Sequence, residues 1–331
     1  NRGDTLIDGI VNMQKIVEGS LCLLLMKDDG IYAVRDLWGR FPLVVGGREK
    51  KGEYVAATEA SSLQNLGYDV LQYLGPGEIV RLSRSGVKTL RPALPEKKVC
   101  AFLWIYTGEP SSSYEGRSVE IAREHCGRAL ARKGKVKADF VTGIPDSGIG
   151  HAIGYAQESG IPYKRPLVKY TPGYGRSYTP PSQEIRDLVA TMKIIAVREV
   201  IRGNRMVVCD DSIVRGTQLK NFTIKKLWDN GAKEIHLRVA CPPLMYPCMY
   251  GSSTRTKGEL AARRAIETLE GRTPASVEAY LNPKSKAYRD MVEWIRKDLS
   301  VTSLKYLTID EMIEAIGLPA RDLCLYCWRG C

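Results

Sequence analysis

The segment Met206-Val207-Val208-Cys209-Asp210-Asp211-Ser212-Ile213-Val214-Arg215-Gly216-Thr217 limits what this chain can fold into more than any other. A short apolar run delivers two adjacent carboxylates to its end, and a turn of small hydrogen-bonding residues follows at once. In an α/β protein the carboxyl end of such a strand is where ligands bind. Two carboxylates there suit sugar hydroxyls or a hydrated Mg²⁺, which takes one or two carboxylates and completes its shell with phosphates and water. The Ser212–Thr217 turn opens a helix and offers backbone N–H groups and hydroxyls to a phosphate. A ligand with ribose hydroxyls and a 5′-phosphate satisfies both halves. The rival reading, the magnesium strand of a P-loop ATPase, fails because no Gly-x-x-x-x-Gly-Lys-Ser/Thr segment is present.

The 331 residues suffice for two or three domains. No apolar run reaches the ~20 residues of a membrane span, and no signal-peptide pattern opens the chain. Nine cysteines, an odd number, favour thiols or metal ligands in a reducing compartment over a disulfide framework. A cytoplasmic protein is expected. The net charge is +12, and half of it falls between Ile161 and Arg205, where nine Lys/Arg face three Asp/Glu. Such a surface draws phosphate-bearing substrates. Nucleic acid is set aside because no recognition motif accompanies the charge.

Residues 1–93 read as β-rich, with strands at Leu21–Met26, Ile31–Val34 and Leu43–Val45 separated by Asp28-Asp29-Gly30 and similar turns. A boundary falls at Leu94–Lys98. Residues 94–272 then alternate: strand Phe140–Ile144, helix Gly148–Ser159, strand Met206–Cys209, helix Gln218–Asn230 stopped by Gly231, strand Ile235–Ala240. That alternation predicts a parallel sheet covered by helices. Residues 273–331 read as helical, with Thr273-Pro274 as one helix start and Thr308-Ile309-Asp310-Glu311 as a capping box closed by Gly317.

Val141-Thr142-Gly143-Ile144-Pro145-Asp146-Ser147-Gly148 is a second strand-to-helix turn, able to hold a pyrophosphate on Asp146, Ser147 and Gly148. Between the two turns lie Tyr174-Gly175-Arg176-Ser177-Tyr178, Pro181-Ser182-Gln183-Glu184-Ile185-Arg186, Lys193 and Arg198, a basic stretch suited to a lid. Cys324-Leu325-Tyr326-Cys327 is a redox motif, half a zinc site or part of an iron–sulfur site. His125, His151 and His236 have no ligand or triad spacing, and Cys126, Cys209 and Cys241 read as core thiols.

Together these segments closely resemble the amidophosphoribosyltransferases, which use phosphoribosyl pyrophosphate (PRPP) and glutamine. The likeness extends through Gly231-Ala232-Lys233-Glu234, Pro242-Pro243, Pro247-Cys248-Met249-Tyr250-Gly251 and the Cys-x-x-Cys, over nearly the whole chain. It implies a type I phosphoribosyltransferase-like sheet preceded by part of an Ntn-hydrolase-like glutaminase domain. By the same resemblance, Asp210 and Asp211 hold the ribose hydroxyls and, with Ser147, Mg²⁺. Ser212, Arg215, Gly216 and Thr217 cradle the 5′-phosphate. Lys193, Arg198 and Arg176 stabilise the departing pyrophosphate. Cys100, Cys248, Cys324 and Cys327 take the positions of a [4Fe–4S] cluster, with zinc as the other metal.

Two departures stand out. The phosphate loop continues Thr217-Gln218-Leu219 where the family has Thr-Thr-Ser, and Tyr170–Tyr174 lacks a lid arginine. These keep open a second reading, a non-catalytic regulator that binds PRPP or a nucleotide. Arg35-Asp36-Leu37-Trp38-Gly39 and Pro42-Leu43 match the later part of the family's glutaminase domain, with Phe41 replacing an arginine. The family's nucleophilic N-terminal cysteine has no counterpart, since the sequence begins at Asn1 and Cys22 sits inside an apolar strand. The expectation is therefore ammonia from a separate glutaminase subunit or from solution, and an oligomer that covers the open strand edges.

Overall fold

The structure is a computed structural model and describes residues 3–170, 194–251, 256–274 and 276–330. The chain divides into two compact units. The first comprises residues 1–120, 248–253 and 317–325, and the second residues 121–247, 254–316 and 326–331.

The first unit is built on two antiparallel sheets. One has the order Cys22–Lys27, Gly30–Arg35, Ile79–Ser83, Gly86–Arg91, and the other Glu53–Ala57, Val44–Arg48, Asp69–Tyr73. Side chains alternate across a strand, so neighbours in Gly30–Arg35 face opposite ways. Ala33 packs with Leu43, Val45, Leu74, Val80 and Leu82. Val34 packs with Ile79 and Ile10 of a helix spanning Leu6–Ile16. Sequence patterning missed this helix inside a β-rich region, although it carries a capping box: Thr5 Oγ1 accepts from Asp8 N–H (3.2 Å) and Asp8 accepts from Thr5 N–H (3.1 Å).

The second unit holds a four-stranded parallel sheet in the order Phe140–Gly143, Arg205–Asp210, Glu234–Val239, Ser303–Tyr306. Helices Gly148–Ser159 and Ala261–Glu270 belong to its connections, as do Lys225–Asp229, which a π-helical turn at Leu219–Ile224 precedes, and Lys286–Asp298. The first three strands and the helix Gly148–Ser159 lie where the hydrophobic pattern puts them. Two expectations for the tail are corrected. Thr273 and Pro274 open no helix; they follow the left-handed stop at Gly271 (φ +68°), a common place for proline. The helix starts at Ser285, whose Oγ accepts from Tyr288 N–H at 2.9 Å. Ser303–Tyr306 is a strand, too short and too mixed in polarity to stand out. The Thr308/Glu311 capping box is present as read, with reciprocal bonds of 2.7 and 3.2 Å. Among the described residues no helix is long and apolar enough to cross a membrane.

Candidate active site

The sheet topology fixes where a ligand can bind. After Phe140–Gly143 the chain runs through helix Gly148–Ser159 to Tyr163, which bridges Val141 on that strand's outer side. After Arg205–Asp210 it runs the opposite way, to Glu234–Val239. Connections thus leave two adjacent parallel strands in opposite directions, and the crevice at their carboxyl ends is the switch point where open α/β sheets bind ligands. Both turns singled out in the sequence emerge there.

The two turns are in close contact. Ile144 N–H donates to Cys209 O at 2.9 Å, and Gly148 N–H to Ile144 O at 2.8 Å. A Cβ on Gly148 would fall 2.5 Å from Cys209 O, so only glycine lets the helix start this near the strand end. The Pro145–Asp146 peptide is cis. Asp146 is exposed and paired with Lys169.

Asp210 and Asp211 are buried, at 8% and 6% exposure. Burial pushes the Asp210 carboxyl well above the usual carboxylate range, and the neighbouring Asp211 charge adds to it. Burial also raises Asp211, opposed by hydrogen bonds from Ser147 and Ser212 and by the field of Arg123. Ser212 Oγ donates to Asp211 Oδ1 at 2.5 Å, and Asp211 N–H to Asp210 Oδ1 at 3.0 Å. Two desolvated carboxylates beside two hydroxyls form an all-oxygen donor set that favours a hard cation or sugar hydroxyls. This donor set fits Mg²⁺ completed by substrate oxygens. Among the described residues no group of three or more His, Cys, Asp or Glu side chains is arranged to hold a metal on its own.

The Ser212–Thr217 loop turns at Gly216 (φ +77°) into the helical turn beginning at Leu219. It is buttressed by a segment that sequence reasoning overlooked. Glu259 accepts from Arg215 Nε (3.1 Å) and Nη2 (2.7 Å), Arg264 Nη2 donates to Arg215 O (2.6 Å), and Ala261 N–H to Val214 O (2.8 Å). Glu259 and Arg264 lie more than forty residues from the loop in sequence, in an ordinary charged helix start, so no local cue marks them. The Glu259→Gln variant should bind a phosphate ester at this loop about three- to tenfold more weakly, since a partly exposed charge pair contributes about 1 kcal/mol. Calorimetric titration against wild type checks this; equal affinity would remove Glu259 from the site.

Arg198 is exposed at the start of the short helix Arg198–Ile201. Lys193, Arg176 and the rest of the expected lid lie outside the described residues. His151 is fully buried, its Nδ1 3.0 Å from Arg123 O, a packing role consistent with the sequence reading.

The eight described cysteines are free thiols. Cys126, Cys209 and Cys241 are buried. In the first unit Cys100 and Cys324 are direct partners in a short parallel ladder, Val99–Cys100 with Leu323–Cys324. Burial pushes the Cys100 thiol up to about 12, with Cys324 and then Cys248 adding to the rise. Two further expected cluster positions, Cys324 and Cys248, thus lie near enough to Cys100 to act on its thiol. In the second unit the Cys327 carbonyl accepts from Met245 and Tyr246 N–H, each at 3.0 Å.

A parallel sheet with an acidic pair and a phosphate-loop turn at its switch point defines a type I phosphoribosyltransferase-like protein. No family model matches the sequence, but individual relatives do. The amidophosphoribosyltransferase of Mycobacterium tuberculosis is 37% identical over 326 residues, 98% of this chain and 57% of that protein. That of Methanocaldococcus jannaschii is 34% identical over 98% of this chain and 66% of its own length. Among solved structures, the glutamine PRPP amidotransferase of B. subtilis complexed with ADP and GMP superimposes with a TM-score of 0.81 at 32% identity, covering all of this chain and 68% of that one. The chain belongs to the amidophosphoribosyltransferase family. It spans little more than half the length of the M. tuberculosis relative.

Proposed function

We propose that this chain transfers the phosphoribosyl group of PRPP to ammonia, giving 5-phosphoribosylamine, the first step of purine synthesis. The observation that carries the reading is the buried Asp210–Asp211 pair at the switch point, flanked by the two turns. Asp210 and Asp211 accept the ribose hydroxyls, while N–H groups and hydroxyls of Ser212, Gly216 and Thr217 receive the 5′-phosphate with Arg215 beside them. Asp146, Ser147 and Gly148 face the pyrophosphate. Asp210, Asp211 and Ser147 would hold Mg²⁺, which would neutralise charge on the leaving pyrophosphate. The C1–O bond breaks with its electron pair going to pyrophosphate, ammonia forms the C1–N bond, and one ammonia proton is released. Lys193, Arg198 and Arg176 meet the departing charge. Positioning and electrostatics do most of this work.

Ammonia comes from a glutaminase partner chain or from solution, and the assembly is an oligomer. Free thiols suit the reducing cytoplasm. The cysteines form a second part of the proposal: Cys100, Cys248, Cys324 and Cys327 hold a [4Fe–4S] cluster that ties down the tail and takes no part in transfer. Anaerobically prepared protein should contain about four iron and four sulfide per chain, and Cys324→Ser should lose both; zinc alone in the wild type would replace the assignment.

The test of the activity is PRPP-dependent pyrophosphate release, measured with ammonium and separately with glutamine. Release with ammonium supports the reading. PRPP binding without release from either donor would leave the non-catalytic regulator instead, the reading that the Gln218-Leu219 departure favours.

A further inference from the structure

We infer that the first unit contains a binding site for a small carboxylate with an apolar body, centred on Arg40. A cavity of about 390 Å³ opens there, walled by Val17, Trp38, Met249 and Tyr250, with Lys15 and Glu18 at the rim. That volume falls within the size of small-molecule sites. Arg40 lines it and is 8% exposed. Its guanidinium carbon lies over the Tyr250 ring, 3.6 Å from the centroid, and 5.8 Å from that of Trp38.

Two neighbouring arginines are used in opposite ways. Buried Arg35 spends its donors on the carbonyls of Phe41 (2.8 Å), Gly39 (2.7 Å) and Leu74, and pairs with Glu115 at 2.8 Å. Arg40 has no carboxylate within ion-pairing distance among the described residues, and its Nε is buried without a hydrogen-bond partner. Asp36, the nearest carboxylate in sequence, does not serve it. Its oxygens accept the backbone N–H groups of Trp38 (3.0 Å) and Arg40 (3.1 and 3.2 Å) instead. These bonds hold the turn that sends Arg40 into the cavity. An aromatic-stacked guanidinium with its donors unspent is preorganised to take a planar oxyanion on its fork.

The surroundings choose among oxyanions. Asp36 and Glu18 line the same cavity as Arg40 and Lys15, so the wall is balanced in charge and opposes a phosphate dianion more than a monoanion. Trp38 and Met249 are 41% and 56% exposed, large apolar surfaces placed to cover the ligand's body. A carboxylate joined to an aromatic or branched aliphatic group matches both features. The site lies wholly within the first unit and stands independently of the PRPP reading.

Phenylacetate, benzyl alcohol and phenylphosphonate, titrated into the full chain and followed by ligand-observed NMR, test this. Phenylacetate should bind with Kd near ~1 mM, benzyl alcohol at least about tenfold more weakly, and Arg40→Lys should weaken phenylacetate at least about fivefold by removing the fork. Melting curves verify that the variant folds; if it does not, Trp38→Leu should show the same loss through the apolar wall. Equal binding of benzyl alcohol, no saturable binding of phenylacetate, or an unchanged affinity in the folded variants would overturn the site. Tighter binding of phenylphosphonate would overturn the carboxylate assignment.

Discussion

Replacing Asp210 with asparagine should cut PRPP-dependent pyrophosphate release by about 10²–10³-fold, the cost of removing one preorganised charge from a buried site, while making the ligand-free protein more stable near neutral pH. The two effects share one cause. Burial, followed by the Asp211 charge, holds the Asp210 carboxyl well above its ordinary 3.8. The folded state therefore keeps a proton that the unfolded chain releases. The stability from that group is complete below pH 3.8 and is lost as pH rises through the elevated folded value. An amide never ionises, so the variant escapes the loss. It also keeps the oxygen that accepts Asp211 N–H. The gain should be about 1 kcal/mol, the scale of a relieved functional-site strain.

Calorimetric melting at pH 4 and pH 8 would separate wild type from variant. The curves should nearly coincide at the lower pH and split at the higher one, with the variant melting later. Mg²⁺ and PRPP together should reverse the order by stabilising only the wild type. A variant that melts earlier at pH 8 without ligand, or that keeps full turnover, would contradict the proposal that these carboxylates are strained for binding.

The acidic pair was legible because strand, carboxylates and phosphate turn are contiguous in sequence. The strand is apolar from Met206 to Cys209 since both faces are covered, and the register Gly143↔Cys209 places the second motif beside the first. Contiguity also explains what was missed. Glu259 and Arg264 act on Arg215 through tertiary contact, and nothing in Lys-Gly-Glu-Leu signals it. Ser303–Tyr306 joins the sheet because Glu234–Val239 presents an open edge, which four residues of weak alternation do not reveal. Arg40 carries no cue in the sequence; its unspent donors exist only once Asp36 has been committed to backbone N–H groups. The helix Leu6–Ile16 had its cap in plain view, but the surrounding strand signals outweighed it.

Gly127→Ala should destabilise the second unit by about 4 kcal/mol or more, the range reserved for core disruption, although alanine is favoured over glycine within helices by about 1 kcal/mol. Helices Val119–Arg132 and Gly148–Ser159 meet backbone to backbone here. A Cβ on Gly127 would sit 1.9 Å from His151 O and 2.7 Å from Tyr155 N, and one on Gly154 would sit 2.0 Å from Glu124 O. No side chain stands between to swing aside, so the helices must separate. The contacts that flank this line are Arg123 O with His151 Nδ1 (3.0 Å), Arg128 with Gln157 (2.6 Å) and Arg132 with Glu158 (2.9 Å). Separation strains all three. It also moves the helix whose first turn carries Ser147, and a shift near 1 Å at a positioned group costs about 10²-fold in rate. Gly160→Ala is the control: at φ +72° with no atom within 4 Å of the added carbon, it should lose only about 1–2 kcal/mol from backbone strain. Urea unfolding of the two variants gives the comparison. If Gly127→Ala is no less stable than Gly160→Ala, the helices are not in backbone contact and Ser147 is not held by that packing.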